Sequence, residues 1–420
     1  MVSGFSTANH KLELELLHMY STSTYKACVH NPDNAPARDL WQCFIPREAL
    51  RHDFLMKAIL AFASLHVAAT MEDTGGGEIG KDLHPSWLRN IILEESQFDG
   101  CCYVPSGCSG IPTTNNQHGV SFASRPSDFY YQKALEYQTQ ASSSFRPVLN
   151  WITADNCHAV LGFSIIMVLS ALGASRHFAT DTIACLGSTT SPMQSIFTMF
   201  EFLRGMKTVS AVGHSWLRAG PFGQFLLGYE DFWELGVQPM EPDAAEVFRM
   251  LQSLNDEQYG DGGAAADMIT DLTSHINLDE DHKQSSTRYQ TNQKAISQLE
   301  TSFAKVTQGN VDPSTQTKLP TPEEMWGERG PILAWLALVD PVFVGYLHDR
   351  ESLSLLVFLH WGVLLHHLGD LWWASNAGRL LVDEISGILH TRGDEWDERT
   401  RWAREKVGLS DLVSSGAVDV

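Results

Sequence analysis

Charge is scarce in this 420-residue chain, and basic charge is scarcer: charged residues make up 19% of the sequence, and 29 Lys and Arg stand against 50 Asp and Glu, a net charge of −21. Affinity for nucleic acid rests largely on Lys and Arg displacing counterions from phosphates, so this balance argues against strong direct DNA binding. If the protein acts on genes, another polypeptide is expected to supply the DNA contact. Cysteine is sparse as well. The seven residues (Cys28, Cys43, Cys101, Cys102, Cys108, Cys157 and Cys185) are odd in number and scattered. This pattern argues against a disulfide framework and reads as the reduced thiols of an intracellular protein. The first residues, Met1 to Lys11, are polar and do not read as a signal peptide. The longest apolar run, Ala159 to Leu172, contains Gly162, Ser164 and Ser170 and reads as too short for a membrane span.

Sustained period-two alternation is missing too, and with it the signal for strands. What is present has helical spacing, so the fold class expected is all-α, a multi-helix bundle with long loops. Leu12, Leu16, Met19 and Tyr20 share one face, as do Leu50, Phe54, Phe62, Leu65 and Ala69 in a run opened by Pro46. Ser191-Pro192-Met193-Gln194 reads as a capped helix start with Ile196, Phe197, Phe200 and Leu203 facing inward. Asp243 and Glu246 mark another start, with Val247, Phe248, Leu251 and Leu254 inward, and Ile296, Leu299, Phe303 and Val306 form a third apolar stripe. The last third is the apolar part. Pro331 opens a helix through Leu338, Pro341 breaks it, and Asp349 is expected to cap a long helix running to about Trp373, apolar almost all the way round and therefore central. This stretch ends in Leu371-Trp372-Trp373, with Trp396 and Trp402 beyond. Such a cluster marks either dense core or the wall of a cavity for a large apolar ligand.

The chain reads as a single helical domain over 1–420, with a Gly/Ser/Pro-rich loop region at 74–126 holding one short helix near Trp87 to Glu95. Two flexible linkers are expected, at 258–286 and 311–324.

Motifs for chemistry are weak. Gly75-Gly76-Gly77-Glu78-Ile79-Gly80-Lys81 approaches glycine-rich phosphate-binding patterns, but a helix precedes it and Asp82 stands where a magnesium-binding hydroxyl is needed, so a plain loop is the better reading. His360, His366 and His367 lack a third or fourth convergent ligand, and Cys101, Cys102 and Cys108 are too crowded for one tetrahedral ion, so no metal site is assigned. No nucleophile elbow or Cys-His signature appears, and acidic pairs such as Glu13 with Glu15 read as solvated faces. No catalytic residue is assigned, and the chain does not read as an enzyme.

Several segments taken in order resemble the C-terminal regulatory region of fungal zinc-cluster transcription factors of the sterol uptake control type. They begin with Leu12-Glu13-Leu14-Glu15-Leu16-Leu17-His18-Met19-Tyr20, followed by Trp41-Gln42 and Ile45-Pro46-Arg47-Glu48-Ala49-Leu50. Next come His52-Asp53-Phe54-Leu55, Ala61-Phe62-Ala63-Ser64-Leu65-His66, and Leu203-Arg204-Gly205 with Trp216-Leu217. The series closes with Leu371-Trp372-Trp373, Gly378 and Trp402-Ala403-Arg404-Glu405-Lys406-Val407-Gly408. Members of that family normally carry an N-terminal DNA-binding cluster built on CxxCx₆C. None of the seven cysteines here has that spacing, so the resemblance implies a regulatory module that works through a partner protein or through a DNA-binding domain missing from this sequence.

The resemblance also implies a nuclear or cytoplasmic regulator of transcription, in a family whose members include regulators of sterol and secondary-metabolite pathways. It implies no bound cofactor beyond a sterol or other apolar small molecule. By position that ligand would meet Phe343, Tyr346, Trp361, Leu365, Trp372, Trp373 and Gly378; close packing without a cavity is the competing reading of the same residues. A homodimer is left open. Two other functions stay open beside the regulator: a lipid- or sterol-binding protein with no part in transcription, and a pathway enzyme, a cyclase or isomerase, that reuses the helical pocket.

Overall fold

The computed structural model describes residues 3–29, 33–73, 126–176, 191–223, 240–260, 278–306 and 329–410. Among them every regular element is helical and there is no strand, as the missing alternation led one to expect. Of the loop region expected at 74–126, residues 74–125, with the short helix expected among them, lie outside the described residues, as does the linker expected at 311–324; Pro126 opens a helix. Of the segment 258–286, residues 258–260 close one helix and 278–286 belong to the next; the rest also lies outside.

The first half is organised around one apolar helix. Helix α1 (Ser3–Thr22) buries Leu12, Leu16, Met19 and Tyr20 and packs on α2 (Asp53–Asp73). Residues 35–49 form one helical stretch between them, opened by Asn34 accepting from the Ala37 amide and widened to a π turn at Leu40–Phe44. Leu50 departs from expectation. The helix stops at Ala49 and a new one starts at Asp53, which resets the face, so Leu50 falls in the break and is 73% exposed. Helix α2 buries thirteen of its residues, and its alanines at 58, 61, 63, 68 and 69 let α3 (Pro126–Phe145) and α4 (Cys157–Ala174) approach closely. Glu13 is more than a solvated acid: it receives Lys57 Nζ at 2.8 Å and ties α1 to α2.

Helix α5 (Pro192–Ala219) links the halves, packing on α4 and also on the later helices Arg329–Leu338 and Ala377–His390. Ser191 Oγ accepts from the Gln194 amide at 3.1 Å, and Ile196, Phe197, Phe200 and Leu203 are buried, as the sequence pattern indicates. Helices α6 (Pro242–Tyr259) and α7 (Leu278–Val306) pair through Val247, Phe248, Leu251 and Leu254 on one side and Ile296, Leu299 and Phe303 on the other. Helix α8 (Arg329–Leu338) then turns by 86° into α9 (Pro341–His348), and Asp340 caps the new start by accepting from the Val342 amide. Helix α10 (Ser352–His366) is the hub of this half. Every residue from Leu353 to Leu365 is buried, surrounded by α6, α7, α8, α9, α11 (Ala377–His390) and α12 (Glu395–Lys406).

Two details of α10 correct the sequence expectation. Glu351, not Asp349, caps it, accepting from the Leu353 and Ser354 amides at 3.2 and 2.7 Å. The helix ends at His366, seven residues short of Trp373. The amides of His367, Leu368 and Gly369 bond three residues back rather than four, which tightens and closes the last turn.

Asp53–Asp73 and Cys157–Ala174 are both long and apolar enough to span a bilayer, so the length argument read from Ala159–Leu172 does not hold. Their apolar windows are 72% and 83% buried against neighbouring helices, which accounts for their composition by packing.

Candidate functional site

The seven residues expected around an apolar ligand fall in four places. Phe343 and Trp361 belong to a closed aromatic stack in which Trp335 meets Phe343 edge-on at 6.0 Å and lies parallel to Phe358 and Trp361. All four rings are fully buried. Trp361 Nε1 donates to the Ile332 carbonyl at 2.8 Å, and Trp335 Nε1 to the Ala295 carbonyl at 3.0 Å. Indoles satisfied by the backbone of neighbouring helices act as core pins that fix α8 and α10 against each other and against α7. Leu365 is equally buried on α10.

Gly378 serves a backbone crossing. A methyl group there would run into the His366 amide nitrogen and lie 2.5 Å from the Gly362 carbonyl oxygen. A methyl on Gly362 would in turn meet Val382 at 3.0 Å. The two glycines let α10 and α11 touch almost backbone to backbone, and that contact leaves no space for a ligand.

Trp372 and Trp373 occupy the connector between α10 and α11. Trp372 is half-buried and stacks on His66 of α2 at 4.7 Å, with Phe62 at 5.0 Å. His66 Nδ1 is 2.9 Å from Thr24 Oγ1, which sets the ring's orientation. Both tryptophans crowd Gly173 of α4, where a methyl group would come within 3.1 Å of Trp372. Arg176 fixes the strand of chain between them by donating to the Trp372 carbonyl at 2.9 Å and to Asp73 at 2.5 Å. In contrast to Trp335 and Trp361, the Nε1 atoms of Trp372 and Trp373 are buried without a hydrogen-bond partner, as are His366 Nδ1 and Ser375 Oγ. A buried polar atom left unmet forgoes roughly 1–3 kcal/mol relative to a satisfied one. Three of these atoms lie in the connector and the fourth, on His366, ends α10, so the unmet polar groups cluster on one turn of the chain.

Tyr346 lies elsewhere, in a groove of about 500 Å³ with Tyr259, Arg288, Glu351, Arg392 and Trp396 among its walls. Burial, with Glu351 second, pushes the Tyr259 hydroxyl up to about 12, and its proton is donated to Glu351 at 2.8 Å. Of this group the sequence singled out Tyr346 and, within the tryptophan-rich end, Trp396; the others escaped because the residues come from four helices and two connectors and carry no spacing signal. The same holds for the buried Arg404, which binds Asp383, Ser386 and the Ser410 carbonyl.

His360, one of the three histidines weighed as ligands, is fully buried. Its Nδ1 lies 2.7 Å from the Leu356 carbonyl and its ring stacks on Trp402 at 5.7 Å. His366 ends α10 and His367 follows it. Among the described residues no three His, Cys, Asp or Glu side chains converge as metal ligands.

No family model matches the chain. Among curated proteins it is similar to a Zn(2)-C6 fungal-type transcription factor of Gibberella zeae, 21% identical over 414 residues. The match takes in 95% of this chain, which spans 63% of the relative's length. It points to the same broad family as the ordered segments of the sequence and leaves the sterol uptake subtype unaddressed.

Proposed function

We propose that this chain is the regulatory module of a fungal transcriptional regulator, acting in the nucleus through a partner protein or a separate DNA-binding domain. The observation that carries this reading is the similarity to a fungal transcription factor along almost the whole chain. The all-helical fold and the net charge of −21 accord with it, since an acidic module is suited to protein contacts and poorly suited to phosphate. Profiling transcripts after deletion of the coding sequence tests it. A defined gene set should change and recover on complementation. Unchanged transcripts would leave the lipid-binding reading in its place.

Ligand sensing is the finer part of the proposal. An apolar metabolite carrying an oxygen acceptor, a sterol being the first candidate, would lie against Trp372 and Phe62 and take up the unpartnered indole donors of Trp372 and Trp373. The connector holds α10 and α11 to α2 and α4, so a ligand that fits one arrangement of these helices better shifts the population toward it, by no more than its differential affinity. Ergosterol added to purified protein should raise the unfolding temperature, and Trp372→Ala should abolish the rise. An equal rise in both proteins would place the ligand elsewhere.

A further inference from the structure

The groove beside Tyr346 has features that the transcriptional reading does not use, and the inference drawn from it stands independently of that reading. We propose that it is a binding site for a small planar monocarboxylate, whose carboxylate is held by Arg288 and Arg350 and whose body lies among Tyr259, Tyr346 and Trp396.

The first observation is local charge. In a chain of net charge −21, Arg288, Arg350 and Arg392 line one groove, and none of them is ion-paired with a carboxylate among the described residues. The groove's own acids are Glu351 and Asp349. Glu351 is already saturated by the Leu353 and Ser354 amides, the Ser354 hydroxyl and the Tyr259 hydroxyl. Asp349 is exposed at the rim. Three guanidiniums against two carboxylates leave one positive charge, which suits a monoanion better than a dianion. Arg288 lies over the Tyr346 ring, 5.2 Å from its centroid, and its Nε is buried without a partner. A carboxylate oxygen would meet that donor, and the planar fork of a guanidinium matches a carboxylate edge to edge.

The second observation is backbone strain at Arg350. Helix α9 ends in a doubly bonded turn: the Glu351 amide bonds to the Tyr346 carbonyl at 2.9 Å and the Arg350 amide to the Leu347 carbonyl at 3.0 Å. Such a turn places its penultimate residue in the left-handed region, where glycine is the unstrained choice. Here that residue is Arg350, with φ of 56°, among the described residues the one non-glycine with positive φ. Arg392 holds the turn, donating to the Arg350 carbonyl and to Ser352 Oγ, both at 2.5 Å. With both its terminal nitrogens so engaged, Arg392 is a positioning residue. Among the described residues the Arg350 side chain makes no hydrogen bond or ion pair, and it is exposed at the groove, so its strained place points to what it binds.

Benzoate and inorganic phosphate serve as probes, each titrated into the full chain against sodium chloride at matched ionic strength. The readout is the indole NMR signal of Trp396, assigned by its loss in Trp396→Phe. Benzoate should move the signal saturably and bind more tightly than phosphate. Arg350→Gly should weaken benzoate binding by about tenfold or more, the worth of a charged hydrogen bond. The same variant should unfold at an unchanged or higher temperature, because glycine relieves the left-handed turn. Arg288→Gln should weaken binding as well. The proposal is overturned by an absence of saturable benzoate binding, by phosphate binding as tightly, or by Arg350→Gly binding benzoate like the wild type.

Discussion

His360 sits in the middle of α10 with its Nε2 buried and unpartnered, and burial lowers its pKa to about 4 despite the Leu356 carbonyl. In the unfolded chain the imidazole titrates near its ordinary value of about 6.5. Between those two values the unfolded state holds the extra proton, so stability falls as pH drops through this window and is fully present above it. That gap corresponds to roughly 3 kcal/mol. Replacing His360 with Leu should therefore flatten the pH dependence of unfolding free energy between pH 4 and 6.5, as read by urea titrations; an unchanged slope would mean that the ring is reached by water. Gly378→Ala should destabilise by about 1–3 kcal/mol through overpacking against the α10 backbone. Gly387→Ala, on the same helix with open space around it, should be neutral or mildly stabilising. At this scale the sequence separated little. The tryptophans announce themselves by type, but whether an indole is satisfied, as in Trp361, or left wanting, as in Trp373, depends on which carbonyl a distant helix presents.

Elements were more legible. The stripes on α5, α6 and α7 bury the residues that helical periodicity selects, because an amphipathic face records its own orientation. The Ser191 cap was legible for the same local reason, and Ser191→Ala should lower stability by about 1 kcal/mol in denaturant titrations, through the amide of Gln194 left unmet. Where apolar residues cover every side, periodicity carries no register. Helix α10 shows this: its centrality could be read, but not its stop at His366, which is set by the tightened turn and by the pull of Trp372 and Trp373 toward α2 and α4. The break at Leu50 escaped for a related reason, since apolar residues continue at helical spacing across a three-residue turn and mimic one helix.

For the whole molecule, fold class followed from the missing alternation, and the charge balance limits what the chain binds. The candidate site did not follow in the same way, because Trp372, His66 and Thr24 are brought together from three segments far apart in sequence. With a net charge of −21, the purified 420 residues should bind duplex DNA weakly and without sequence preference in fluorescence anisotropy. Tight, specific binding would contradict the division of labour proposed here. The central claim, that this helical module regulates transcription through a DNA contact supplied by another domain or polypeptide, is tested most directly by tethering. Fused to an unrelated DNA-binding domain and placed upstream of a reporter in a fungal cell, residues 1–420 should raise or lower expression several-fold relative to the DNA-binding domain alone. Reporter output equal to that control, from a fusion shown to be folded and bound at its site, would contradict it.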